Sequence, residues 1–282
     1  MDELGVVKLA EIALFGNVFS YHKSMIIMTW IVMAILVLMA IITRKKINLI
    51  PSRIQSLFEL IIEFLDDITV STLGKKDGRK FLPLICAVFM FILLSNWISI
   101  LPNIFRFFGA VIAAGANMFG SELVTFTSWA TLEVDPSAWY SFLIKFPNIE
   151  EPTKFLATDL GLSIMILIIA HTYGIRQNGI GNYLKGYMGD VWPTTGFWKF
   201  IFFLNPFLYM NILGEISNTV SHAFRLFGNI FGGGMIVVIV SSLIHSVIVP
   251  VGLLAFFGLF AGIVQAFVFT MLTVTYIAQQ KA

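Results

Sequence analysis

Charge is scarce in this sequence. Only 12% of its 282 residues are Asp, Glu, Lys or Arg, about half the share of a soluble domain. So few charges cannot cover the water-facing surface of a soluble domain this size. The 18 Lys and Arg against 16 Asp and Glu leave a net charge of +2, which argues against nucleic-acid binding. Cysteine is almost missing. The single Cys86 excludes a disulfide scaffold and reads as a small packed hydrophobe in an apolar run. There is no Walker loop, dinucleotide-binding glycine pattern, zinc-type His/Cys cluster or nucleophile elbow. No metal and no cofactor is therefore expected. The Gly232-Gly233-Gly234 run lacks the Lys-Ser/Thr of a phosphate loop and lies deep in apolar sequence. With Gly228 it forms a Gly228-xxx-Gly232 pair that lets another helix approach closely. What the sequence has in abundance is apolar residues, 58% of the chain. The class this implies is an all-α integral membrane protein.

The spans follow from the apolar runs and their flanks. Residues 25–43 form the first, with Arg44-Lys45-Lys46 behind it. A signal peptide would carry its basic residues in front. Residues 51–73 place Ser52, Ser56, Glu59, Glu63 and Asp66 at helical spacing among Ile54, Phe58, Ile61 and Leu65. That is an interfacial amphipathic helix, capping the protein's own bundle or lining a partner. Residues 81–101 and 156–175 are long enough to span. Between them, 104–119 reads as a re-entrant piece carrying Arg106, and 122–154 as an acidic external loop with Trp129 and Trp139 at the headgroups. Residues 177–196 read as a polar loop. The stretch 197–248 is too long for one upright crossing; it is a strongly tilted helix, a broken helix or two pieces. Pro250 breaks the chain, and 251–278 form the last helix.

Eight Lys and Arg lie between Arg44 and Lys80, and three between Pro102 and Lys154. The positive-inside rule then puts the N-terminus outside and the C-terminus in the cytoplasm, with about five crossings. The organisation expected is a single membrane domain over 1–282. Its parts are an N-terminal segment and first span (1–46), the amphipathic helix (51–73), a spanning hairpin with its external loop (80–176) and a final helix pair (197–280).

One polar stripe stands out. Asn211, Glu215, Asn218, His222, Arg225 and Asn229 are spaced by 4, 3, 4, 3 and 4 residues, which puts them on one helical face. At 1.5 Å per residue the stripe is about 27 Å long, near the ~30 Å thickness of the hydrocarbon core. Such a face must look at water or a polar partner. Arg225 cannot discharge by losing its proton. Burying its charge at midplane costs about 2.5–3.5 kcal/mol on insertion scales. Glu215 is about 15 Å away along a helix, too far to pair with it directly. Glu215 is either a structural partner of His222 or Asn218, or a way-station for a cation. His222, one turn from Arg225, reads as a neutral hydrogen-bonding group. His171 and His245 read as packing or interface residues. Gln265 is an isolated polar group on the last helix, bonded to the stripe or paired locally.

The run RLFGN at 225–229, followed by QAFVFTMLTVTYI at 265–277, resembles subunit a of the F-type ATP synthase. PSRIQSLFELIIEF (51–64), KFLPLICAVFMFILLSNWISILPN (80–103) and YGIRQNGIGNYLKGY (173–187) are similar to the family's upstream blocks, in the same order. The resemblance implies two long final helices, strongly tilted and curved against a c-ring, with the amphipathic helix and first spans meeting the peripheral-stalk subunit b. It implies a multi-pass subunit of a bacterial cell (inner) membrane. That subunit is a non-catalytic part of a rotary motor, carries no ATP chemistry, and provides two aqueous half-channels for H⁺ or Na⁺. The family's essential arginine carries onto Arg225, with Asn229 and Gln265 orienting it and lining the access path. Relatives often place an acidic residue or His nine positions after the arginine, and a His or Glu partner on the last helix. Here those places hold Gly234 and Gly258, so that relay does not carry over and H⁺ and Na⁺ both stay open.

Two other readings are weighed against this one. An ion-coupled secondary transporter would show matching broken helices in two halves, but a single polar stripe is present. A purely structural membrane subunit would tolerate apolar residues in the stripe.

Overall fold

The computed structural model describes residues 10–14, 17–45, 51–98, 124–126, 132–134, 151–188, 206–243 and 248–281. The expected re-entrant piece at 104–119, most of the external segment 122–154, residues 189–205 and His245 lie outside them. The described chain is almost entirely helical. Two small antiparallel hairpins are the exception: Ala10–Leu14 with Asn17–Tyr21, and Val124–Phe126 with Leu132–Val134.

Among the described residues, five helical stretches are long and apolar enough to cross a membrane: Ser24–Arg44, Lys75–Trp97, Leu156–Tyr187, Pro206–Val240 and Phe256–Lys281. The number matches the count from the sequence. The first belongs to α1 (Lys23–Lys45), which is exposed along most of its length and buries Met28 and Val32. A hydrophobic helix this open suits lipid as its solvent.

The amphipathic segment is α2 (Arg53–Leu73), and α3 (Lys75–Trp97) follows at once. Ser52 caps α2 by accepting from the Gln55 N–H at 3.4 Å. Gly74 ends it with φ 84, a left-handed turn that a side chain would strain. The chain therefore reverses through one residue and α2 packs back along α3. Its buried stripe is Leu65, Thr69 and Leu73, and Phe64 meets Phe267 with ring centroids 5.8 Å apart. On α3, Phe81, Ile85, Val88, Ile92 and Asn96 recur every three or four residues and face inward, as helical periodicity requires.

After a short turn at Pro152–Lys154, α4 runs over Leu156–Met188. It continues well into the expected polar loop. A break at Gly179, φ 74 and ψ 150, divides it into two helical pieces. The second piece carries the polar residues that looked like a loop because it is short and exposed on most sides.

The overlong apolar stretch holds α5 (Pro206–Leu243), 38 residues in one helix. At ~1.5 Å per residue it is about 57 Å long, nearly twice the ~30 Å core. It fits a bilayer only when strongly inclined. The last helical rod begins earlier than expected. Its first part, α6 (Ile248–Ala255), contains Pro250, which sits in the first turn, where its missing N–H is harmless. A π-helical turn at Phe256–Ala261 leads into α7 (Gly262–Lys281). The core joins α2, α3, α4, α5 and α7 through Leu65, Ile85, Ile166, Leu226 and Phe269.

Candidate functional site

The polar stripe lies on α5 as its spacing requires, and it lines three cavities in succession. The first, about 830 Å³, is bounded by Asn211, Glu215 and Asn218 of α5, Tyr183 and Tyr187 of α4, and Gln280 of α7. The second, about 120 Å³, holds Asn218, His222 and Arg225 beside Ser163 and Tyr276. The third, about 310 Å³, is lined by Asn229, Gly234, Gly258, Asn96, Glu151 and Lys154. The first and third share no lining residue.

Glu215 is the best-anchored member. Tyr187 donates its hydroxyl to Oε1 at 2.9 Å, and Gln280 donates Nε2 to the same oxygen at 2.6 Å. The Tyr276 hydroxyl donates to Oε2. Three donors serve a carboxylate that has about four acceptor positions, through the stronger charge-assisted type of bond. Neither His222 nor Asn218, the partners considered from spacing, is among them. The arrangement depends on Gly179, whose positive φ turns the second piece of α4 back toward α7. It also depends on close approach at Gly174, where a Cβ would lie 2.5 Å from the Tyr183 ring and 2.7 Å from the Gln280 carbonyl oxygen. Asn211 reinforces the contact by donating Nδ2 to the Tyr187 carbonyl at 2.8 Å. His171 sits among the same rings, with centroids 6.1, 6.2 and 6.5 Å from Tyr183, Tyr187 and Tyr276.

The remaining stripe residues divide between two sides of α5. Arg225 and Asn218 are exposed. His222 is buried, with its ring centroid 3.9 Å from that of Phe269. Its Nε2 has no hydrogen-bond partner among the described residues, and the same holds for Nε2 of Gln265. Gln265 is 6% exposed on the inner face of α7, with its amide nitrogen unpaired. Asn229 is half-buried on the third cavity. Gly228 and Gly232 have nothing within 4 Å of a Cβ position. The glycine that a neighbouring helix does approach is Gly233, where a Cβ would stand 2.9 Å from the Phe257 ring. The Gly228-xxx-Gly232 pair is therefore open on this chain, not packed.

Three of the Glu215 donors were missed in the sequence. Tyr276 and Gln280 were within reach, since they continue the Gln265, Phe269 and Thr273 stripe of α7 at helical spacing. Tyr187 was not, because its place depends on the turn at Gly179. Among the described residues no group of His, Cys, Asp and Glu is arranged to hold a metal.

The ends of the helices are tied on one side. Lys281 donates to the Leu73 carbonyl at 2.9 Å and pairs with Asp77 at 2.8 Å. This joins the end of α7 to the α2–α3 turn, close to Lys75, Lys76, Arg79 and Lys80.

Comparison with known proteins matches residues 26–278 to the family described as ATP synthase A chain. The chain belongs to the ATP synthase subunit a family. An ATP synthase subunit a from Desulforamulus reducens is 28% identical, with 93% of this chain and 81% of the relative aligned. That of Sulfurihydrogenibium is 30% identical over 88% of this chain and 94% of the relative. That of Bacillus subtilis is 27% identical over 93% of each. Membership makes the chain a multi-span membrane subunit serving ATP synthesis and ion transport, in the ion-channel stator of the synthase.

Proposed function

We propose that this chain provides two ion half-paths that meet at Arg225 and are kept apart by it. One observation carries the reading. Arg225 is exposed on α5 at the second cavity, which shares Asn218 and Gln279 with the Glu215 cavity and no lining residue with the Asn229 cavity. The Glu215 cavity is the cytoplasmic path and the Asn229 cavity the outer one. Lys281, Lys75, Lys76, Arg79 and Lys80 gather at the Glu215 end, which the positive-inside rule assigns to the cytoplasm. The C-terminus is then cytoplasmic and the N-terminus external.

The partner at Arg225 is a ring of c subunits, each carrying a membrane carboxylate. It lies along the open face of α5, where Val220, Phe224, Phe231 and Met235 are exposed and Gly228 and Gly232 allow close approach. Subunit b meets the side formed by α1 and α2. An ionised carboxylate alone in hydrocarbon is prohibitive, so a c-subunit carboxylate keeps its ion while facing lipid. Beside Arg225 a permanent positive charge favours the ionised form, and the ion leaves into the open half-path. The same charge repels a cation moving directly between half-paths. Rotation is then the remaining route, driven by ~2.3 kcal/mol per charge per 100 mV. H⁺ and Na⁺ both fit this scheme.

The test is reconstitution of the whole complex in liposomes with subunit composition verified. Arg225→Ala should abolish ATP synthesis, with passive ion leak unchanged or raised. Arg225→Lys should hold the barrier better while still exchanging ions poorly. Near-normal synthesis by an assembled Arg225→Ala complex contradicts the proposal.

A further inference from the structure

Away from the polar stripe, α1, α2 and α3 leave a gap between them. The inward face of α1 runs through Met28, Val32, Leu36, Met39 and Thr43, spaced by 4, 4, 3 and 4 residues, as one side of a helix requires. Its first part is packed. Met28 and Val32 are buried, and the His22 ring just before α1 has its centroid 4.8 Å from that of Phe155. From Leu36 onward the same face is only half-buried. There Leu36, Met39 and Thr43 line a cavity of about 500 Å³ between the three helices.

The opposite walls are apolar, with Phe58 and Ile61 on α2 and Cys86, Ala87 and Met90 on α3. The Thr43 hydroxyl donates to the Met39 carbonyl at 2.8 Å, so its proton is used within α1. Arg44 is the one charged residue of the lining, and it stands at the end of α1. It is exposed and has no acidic partner among the described residues. Lys45 and Lys46 follow it in the chain.

An occupant that fits is apolar along its length and anionic at one end. Water does not fit, because each molecule needs two to four polar partners. A wholly apolar helix from another subunit would fill the volume and leave Arg44 without an anion. A phospholipid brings both parts. Its acyl chain suits the walls, and its phosphate suits a planar guanidinium that can donate two parallel hydrogen bonds. Basic pockets between membrane helices are the sites where anionic headgroups are held.

We propose that this cavity holds one acyl chain of an anionic phospholipid, with the lipid phosphate on Arg44. The lipid completes the packing of α1 where the inward face loses its protein cover, and the outer faces of α1 and α2 stay open to subunit b. The lipid comes from the cytoplasmic leaflet, an assignment that rests on the orientation proposed above.

The experiment uses the assembled complex, with subunit composition verified, in phosphatidylcholine vesicles. A small fraction of phosphatidylglycerol carries a photoreactive diazirine on one acyl chain. After illumination, adducts on this chain are mapped by peptide mass spectrometry. They should concentrate on the lining segments 36–43, 58–62 and 86–90, above the level at Trp30 and Leu38, which are exposed and outside the cavity. Unlabelled phosphatidylglycerol should compete at least fivefold better than phosphatidylcholine. Arg44→Gln should lower the lining adducts at least fivefold and leave those at Trp30 and Leu38 unchanged, with Arg44→Lys between it and the wild type. Ala87→Trp, which fills the cavity and keeps Arg44, should remove the lining adducts. Three results each overturn the proposal: lining adducts no denser than those at Trp30 and Leu38, equal competition by the two lipids, or no effect of Arg44→Gln. A cavity filled by subunit b gives the first of these. If Ala87→Trp fails to assemble, Arg44→Gln decides alone. Arg225→Ala should leave the adducts unchanged, so failure of the lipid site and failure of the half-path reading are seen separately.

Discussion

The two ends of α5 solve the same problem in opposite ways. At the Glu215 end a carboxylate is pinned by Tyr187, Tyr276 and Gln280, drawn from two other helices. At the Asn229 end the helix presents Gly233 and Gly234, and the facing turn presents Gly258. One end is built from long polar side chains with fixed partners. The other is built from missing side chains, and apart from Asn229 its polar groups come from the neighbouring elements as Asn96, Glu151 and Lys154. A path for an ion needs polar lining and volume, and either element can supply the lining. Polarity along a single helix is thus a poor guide to where a path ends.

The largest break in this comparison is Glu215→Ala. It leaves the Tyr276 hydroxyl and Gln280 Nε2 without their acceptor, while Tyr187 keeps the Gln280 Oε1 at 3.2 Å, at roughly 1–3 kcal/mol for each buried group left unsatisfied. The yield of intact complex in mild detergent should fall sharply, measured against Glu215→Gln, which should assemble and slow ion flux. Loss of assembly in Glu215→Gln as well would make the residue structural. Tyr276→Phe removes one donor only. A thermal-unfolding shift equivalent to about 1–2 kcal/mol and a several-fold slower ion flux are expected. At the other end the sharpening pair is Gly233→Ala against Gly234→Ala. The first sets a methyl against the Phe257 ring and should cost about 1 kcal/mol or more. The second enters open space and should leave thermal stability unchanged. Equal effects of the two would show that α5 is rotated from the orientation described.

Much of this was legible in the sequence because it rests on composition and period. Apolar runs reported five crossings, and the spacing from Asn211 to Asn229 reported a polar stripe on one helix, though not its division into exposed Asn218 and Arg225 and buried His222. The excess length of 197–248 left a tilted helix, a broken helix or two pieces open, and α5 holds most of that stretch in one helix of 38 residues. What was not legible rests on turns and on contacts between distant segments. Gly179 looked like loop punctuation, yet its positive φ joins two helical pieces and brings Tyr187 to Glu215. Pro250 looked like a break because its position in a first turn depends on where the helix starts.

Sidedness of access is the most direct test of two paths divided at Arg225. In the assembled complex with Cys86→Ser, single cysteines at Asn218 and Gly234 are labelled with a membrane-impermeant thiol reagent from each face in turn. The account predicts that Asn218→Cys reacts from the cytoplasmic face alone and Gly234→Cys from the outer face alone. Both positions reacting from the same face, or either reacting equally from both faces, would contradict it.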